Sequence, residues 1–189
     1  VRAVLGQQIT VTAARKLAGQ LAAAHGEPLA GGPDCELATV FPRPERLATA
    51  DLALGMPRAR IATLRAVAAA VVSDPRLFDG GGDLDAKLAR LRAVPGIGEW
   101  TAQYIAMRAL REPDAFPAAD IGLLRAMTGR DGVRPTPAAV LARAERWRPW
   151  RAYAAQHLWS HDGEIAESEP SPFVNQRTRC FAPSQETVA

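Results

Sequence analysis

At 189 residues, 48% of them hydrophobic, the chain is long enough to bury a core and has the composition of a globular protein. The net charge of +3 is uneven: residues 162–189 carry −3, leaving +6 for residues 1–161, which suits a polyanion partner. Cys35 and Cys180 are the only cysteines and show no metal-ligand spacing, and no apolar run nears the ~20 residues of a membrane span, which argues against disulfide frameworks, cysteine-held clusters and transmembrane helices. A reducing, cytoplasmic setting is the expectation, with no secretory signal in view.

Abundant alanine and short β-branched runs favour helix. Residues 1–24 read as one helix whose Val1, Leu5, Ile9, Leu17 and Leu21 share a face, interrupted near its start by Gly6-Gln7-Gln8. Buried glutamines are costly unless hydrogen-bonded, so Gln7 and Gln8 are expected to face a cleft or solvent. Residues 26–42, with Gly31-Gly32-Pro33, read as loop. A short helix is expected over Glu45–Ala50 and a long one over Arg58–Ser73, with Ile61, Leu64, Val67 and Val71 on one side. The glycine-rich Asp79–Asp83 lacks the pattern of a nucleotide-phosphate loop. Further helices are expected over Leu84–Ala93, Glu99–Leu110, Ile121–Met127, Pro137–Arg146 and Trp150–Ser160, with Asp83 as an N-cap. No strand pair stands out, so the fold class is all-α. Residues 1–161 read as the folded domain, and 162–189 as a flexible tail in which Phe173 and Phe181 are possible docking points. The chain opens without Met and inside a helical pattern, which suggests upstream sequence.

Three stretches carry chemistry. Val94-Pro95-Gly96-Ile97-Gly98 is a tight turn between two helices, and the amides opening the second helix have no internal partner. Such a terminus accepts an anion such as phosphate, although a purely structural corner would read the same. In the helix that follows, Trp100 and Tyr104 are four apart, with Met107 and Arg108 next on that face. Asp120 precedes a helix as an N-cap, where amide hydrogen bonds and the dipole favour its charged form. A fixed carboxylate in a dry pocket stabilises an oxocarbenium ion developing at a sugar carbon. In the last helix Trp150, Tyr153 and His157 share a side; Trp150 and Tyr153 read as core and His157 as a satisfied helix residue, while Trp159 lies about 180° away at 100° per residue. His25, His157 and His161 form no metal or triad pattern, so no cofactor or metal is expected.

Together these parts resemble the helix-hairpin-helix DNA glycosylases, and within them the bacterial 3-methyladenine DNA glycosylase II group. The match rests on Arg2–Gln8, Leu54-Gly55-Met56-Pro57, Val94–Ala102, Asp114-Ala115-Phe116 leading to Asp120, and Ala144–Tyr153 running on to His157-Leu158-Trp159. The resemblance implies a bilobal helical fold with a cleft between the lobes. It implies a bacterial, nucleoid-associated monomer that removes alkylated bases from double-stranded DNA by hydrolysing the N-glycosidic bond. Asp120 would be catalytic, and Trp100, Tyr104 and Trp159 would form the base pocket. DNA contacts would come from Gln7, Gln8, Pro95, Gly96, Ile97, Gly98 and Thr101. Relatives that also cut the backbone place a nucleophilic Lys at the position of Trp100, so no lyase activity is expected. The chain departs from the group at Gln8, where an apolar wedge is usual, at Ala119, where an acid is usual, and at Ile121, where an aromatic is usual. Two other readings remain open from sequence: a non-catalytic DNA-binding hairpin within a larger protein, and a glycosylase for another damaged base.

Overall fold

Where one N-terminal helix is expected, the computed structural model has two. Helix α1 (Arg2–Leu5) stops at Gly6, and Thr10 caps α2 (Val11–His25) by accepting a hydrogen bond from Ala13 N at 3.2 Å. Between them Gln8 adopts φ 58°, a left-handed backbone that no α-helix can pass through. The apolar period survives the break, because Leu5 and Leu21 are both fully buried in the same core. A second difference follows α2: β1 (Glu27–Pro28) pairs antiparallel with β2 (Thr39–Val40), Glu27 opposite Val40. Strands of two residues are too short to show alternation, which is why the sequence hides them.

The remaining helices form within a residue or two of expectation, apart from the last two. They are α3 (Pro44–Thr49), α4 (Arg58–Ser73), α5 (Leu84–Arg92), α6 (Glu99–Arg108) and α7 (Ile121–Ala126). Helix α8 (Pro137–Ala144) tightens into a 3-10 turn over Glu145–Trp147, and α9 runs from Arg151 to Ala166, past the expected boundary at residue 161. Side-chain caps set several starts: Asp83 accepts from Ala86 N, Thr136 from Ala139 N and Asp120 from Leu123 N. On α4, Leu64 and Val67 are buried as the spacing requires, with Ile61 and Val71 packed at the edge.

Helix α3 lies along α4, α5 against α6 and α7 against α9, while α1 touches α2, α4 and α6. One apolar cluster runs through these contacts, from Val4 and Leu5 through Leu64, Leu91 and Ala102 to Phe116, Leu123 and Ala155. The structure describes residues 1–29, 39–79 and 82–166. Gly31-Gly32-Pro33, both cysteines, Phe173 and Phe181 lie outside the described residues. Among the described residues no helix is long and apolar enough to cross a membrane, and no His, Cys, Asp or Glu group is arranged to hold a metal.

Candidate active site

The turn between α5 and α6 gives its two glycines different reasons to exist. Gly96 has φ 85°, and a Cβ there would stand 1.8 Å from Thr63 Oγ1 on α4, so the turn itself demands glycine. Gly98 has an ordinary φ of −86°, and a Cβ there would meet nothing within 4 Å. Its side faces open space. Gly98 is the N-cap of α6 without a side-chain partner, and the first backbone bond of the helix is Ala102 N to Gly98 O at 2.9 Å. The amides of Glu99, Trp100 and Thr101 therefore precede the intrahelical ladder.

From α6 the aromatic side chains reach toward Asp120. The Trp100 indole Nε1 donates to Asp120 Oδ2 at 2.9 Å, and the Trp159 indole Nε1, from α9, donates to Oδ1 at 2.7 Å. Leu123 N adds a third hydrogen bond to Oδ1 at 3.1 Å. Hydrogen bonds to a charged group contribute about 1.5–3 kcal/mol each, so this carboxylate is held in one orientation. Trp100 stacks on Tyr104 with ring centroids 5.2 Å apart and an interplanar angle of 16°. Tyr104 and Trp159 meet at 6.1 Å and 57°. Arg108, one turn further along α6, lays its guanidinium carbon 5.8 Å from the Tyr104 ring centre and 5.6 Å from that of Trp159. Gly122 makes room for this arrangement: a Cβ there would approach both Asp120 Oδ1 and Trp159 Cδ1 to 3.0 Å.

The segment that delivers Asp120, residues 109–119, is pinned from three helices. Lys87 on α5, only 5% exposed, bonds Glu112. Gln103 on α6 accepts from Phe116 N at 2.9 Å. Arg151 at the start of α9, also 5% exposed, grips Asp114 with two bonds of 2.7 and 2.9 Å and adds Glu145 at 3.1 Å. Ala152 N closes the joint on Pro113 O at 2.8 Å. Sequence reading passed over Lys87, Gln103, Asp114 and Arg151 as functional positions. For Lys87 and Arg151 the signal was a charged residue where a helix must bury a face; Gln103 carried none. A shallow cleft of about 310 Å³ behind this joint, lined by Asp85, Leu88, Gln103 and Leu141, holds none of the Asp120 group.

Of the expected site residues, Asp120, Trp100, Tyr104 and Trp159 come together, and Pro95, Gly96 and Gly98 are exposed beside them in sequence. Three expected DNA contacts are used internally. Ile97 is 6% exposed and Thr101 3%, so their side chains turn inward, and Ile97 N already bonds Val94 O at 3.1 Å. Gln7 does not face solvent freely: its Nε2 donates to Thr101 Oγ1 at 2.9 Å and to Gly96 O at 3.4 Å, tying the α1–α2 turn to the hairpin. Gln8 remains exposed at the tip of that turn. The expectation that Trp150 and Tyr153 belong to the core is wrong. They are 57% and 59% exposed and touch edge to face, while Ala152, Ala155 and Trp159 supply the inward side of α9. A helical period locates two opposite faces but does not say which one is buried.

The chain belongs to the HhH-GPD superfamily of base excision DNA repair proteins, whose family model matches residues 1–152. It is 44% identical over 161 residues to the probable bifunctional transcriptional activator/DNA repair enzyme AlkA of Mycobacterium tuberculosis, covering 85% of this chain and 32% of that protein. It is 38% identical over 167 residues to DNA-3-methyladenine glycosylase 2 of Escherichia coli, covering 86% of this chain and 56% of that protein. The chain thus spans about a third to just over half the length of these relatives. Among solved structures it is similar to the 3-methyladenine DNA glycosylase of Schizosaccharomyces pombe in complex with abasic DNA, with TM-score 0.69, 25% identity and coverage of 86% and 78%. The 3-methyladenine DNA glycosylase of Archaeoglobus fulgidus shares the fold at TM-score 0.74 and 24% identity, with coverage of 87% and 57%.

Proposed function

We propose that this chain is the glycosylase part of a base excision repair enzyme that hydrolyses the N-glycosidic bond of alkylated purines in double-stranded DNA. The observation that carries the reading is the Asp120 carboxylate, held by Trp100, Trp159 and Leu123 N against an aromatic group. Names of relatives that carry 3-methyladenine glycosylase activity support the same reading.

The chemistry follows from the charges. A purine alkylated at N3 or N7 is cationic, so electron-rich ring faces attract it. The nucleotide must first leave the duplex, at a cost of a few kcal/mol. The hairpin offers backbone amides at the positive end of α6 to a DNA phosphate, and the open side of Gly98 lets a strand come close. As the C1′–N bond breaks, its electron pair stays with the base, which leaves neutral, and positive charge moves to the sugar. Asp120 faces that charge and stabilises it. Water then adds to C1′ and releases a proton. Trp100 cannot form a Schiff base and Lys87 is engaged with Glu112, so neither α6 nor α5 supplies an amine nucleophile beside Asp120. The product is therefore an abasic site with an intact backbone.

Asp120→Asn tests the reading on methylated duplex DNA, with released bases identified by mass spectrometry. The expected result is release of 3-methyladenine or 7-methylguanine by the wild type and loss of about 10²–10³-fold in the variant, with DNA binding retained. Salt-dependent binding without lesion preference or base release would instead mark a non-catalytic hairpin module.

A further inference from the structure

The aromatic group at Asp120 already holds a cation, and it belongs to the chain itself. Trp100 covers one face of Tyr104, at 5.2 Å and nearly parallel. Arg108 follows Tyr104 by the same four-residue step that separates Tyr104 from Trp100, so it lies one turn beyond Tyr104 on the same face of α6. Its guanidinium lies over both Tyr104 and Trp159. Arg108 therefore covers ring surface of Tyr104 and Trp159 that a ligand entering this group would use. Arg108 is exposed, makes no carboxylate pair among the described residues and sits in the last turn of α6, where a cation is favoured by the helix dipole. It is anchored by ring faces rather than by a buried ion pair, which leaves it free to swing aside.

We infer that Arg108 is a specificity-determining residue: a resident cation that a positively charged base must displace from, or share with, the faces of Tyr104 and Trp159. This rests on the glycosylase reading for its ligand. Any base stacking there must move the guanidinium off the rings; a cationic base also meets charge repulsion from it, which a neutral base of the same shape does not. Arg108 thus narrows the preference of the aromatic pocket for cations, and it adds positive charge at the base end while Asp120 adds negative charge at the sugar end.

The test is binding of a permanently charged probe, 3,9-dimethyladeninium, against neutral 9-methyladenine, followed by NMR on the indole Nε1–H signals of the full chain. Arg108→Met should tighten binding of the cation by about threefold to tenfold more than it tightens binding of the neutral probe. Arg108→Lys, which keeps the charge, should stay near wild type. Equal tightening of both probes, no change in either, or no binding of either by wild type and variant overturns the inference. Base release from methylated DNA is measured alongside. A selective gain for the cation with no release by the wild type would sink the glycosylase reading while leaving Arg108 as the cation gate. Release without any selective gain would do the reverse.

Discussion

Asp120 is held by three N–H donors from three different places in the chain: α6, α9 and the first turn of α7. Its role as an N-cap was legible, since Asp before a helix is a common cap, but its two indole partners were not. Nothing local in the sequence says that Trp100 and Trp159, far apart in the chain, point their nitrogens at one carboxylate. Gly122 is the small residue that allows it. Gly122→Ala places a methyl 3.0 Å from both Asp120 Oδ1 and Trp159 Cδ1, so the indole must shift by a few tenths of an ångström. Ala is a better helix former than Gly, so the fold is not put at risk. The expected outcome is a fall of about tenfold in single-turnover base release with unfolding stability retained. Normal activity would show that the position of Trp159 is unimportant.

Among the elements, α9 does the most. Its first residue, Arg151, locks the 109–119 segment through Asp114, and its inward face carries Trp159 to Asp120. The Arg151–Asp114 pair is nearly buried, and Arg148 also bonds Asp114, so removing Arg151 takes away the two-pronged grip while Arg148 still balances the charge. Arg151→Met is expected to cost about 1.5–3 kcal/mol in urea unfolding, and Arg151→Lys to recover only part of it because a lysine cannot grip both carboxylate oxygens. An unchanged midpoint would remove this joint from the account of how Asp120 is placed. Helix bounds were read well where caps and apolar periods agreed, as in α4 and α5. They were read poorly at α1–α2, where an unforeseen left-handed Gln8 overrides a continuous period. On α9 the period holds and the facing is the reverse of the expected one, because alanines fill the core and the bulky Trp150 and Tyr153 face out.

Across the whole molecule, family membership was legible because the hairpin, the Asp and the Trp-rich end recur together, which no single motif achieves. The electrostatic fabric was not. Glu145 is held below the usual carboxylate range, first by the hydrogen bond from Arg148, with Arg148 and Arg151 adding charge attraction. A depressed carboxyl stabilises the fold fully above its ordinary value of 4.5 and loses that contribution as pH falls through the lowered one. The difference in melting temperature between wild type and Glu145→Gln should therefore be present at neutral pH and vanish in acid. A difference that grows on acidification would contradict the assignment.

The eight-residue span from Arg151 to Trp159 also acts as a ruler. At 1.5 Å per residue, α9 holds its anchor and its indole about 12 Å apart, on a rigid rod with no loop between them to absorb a change of length. One residue added inside that span would turn Trp159 by about 100° and swing its nitrogen off Asp120, even with every other side chain intact. Heritable changes of length are thus confined to the turns, such as residues 128–136 between α7 and α8, and the part of the chain most closed to insertion is a helix face with only one pocket residue on it.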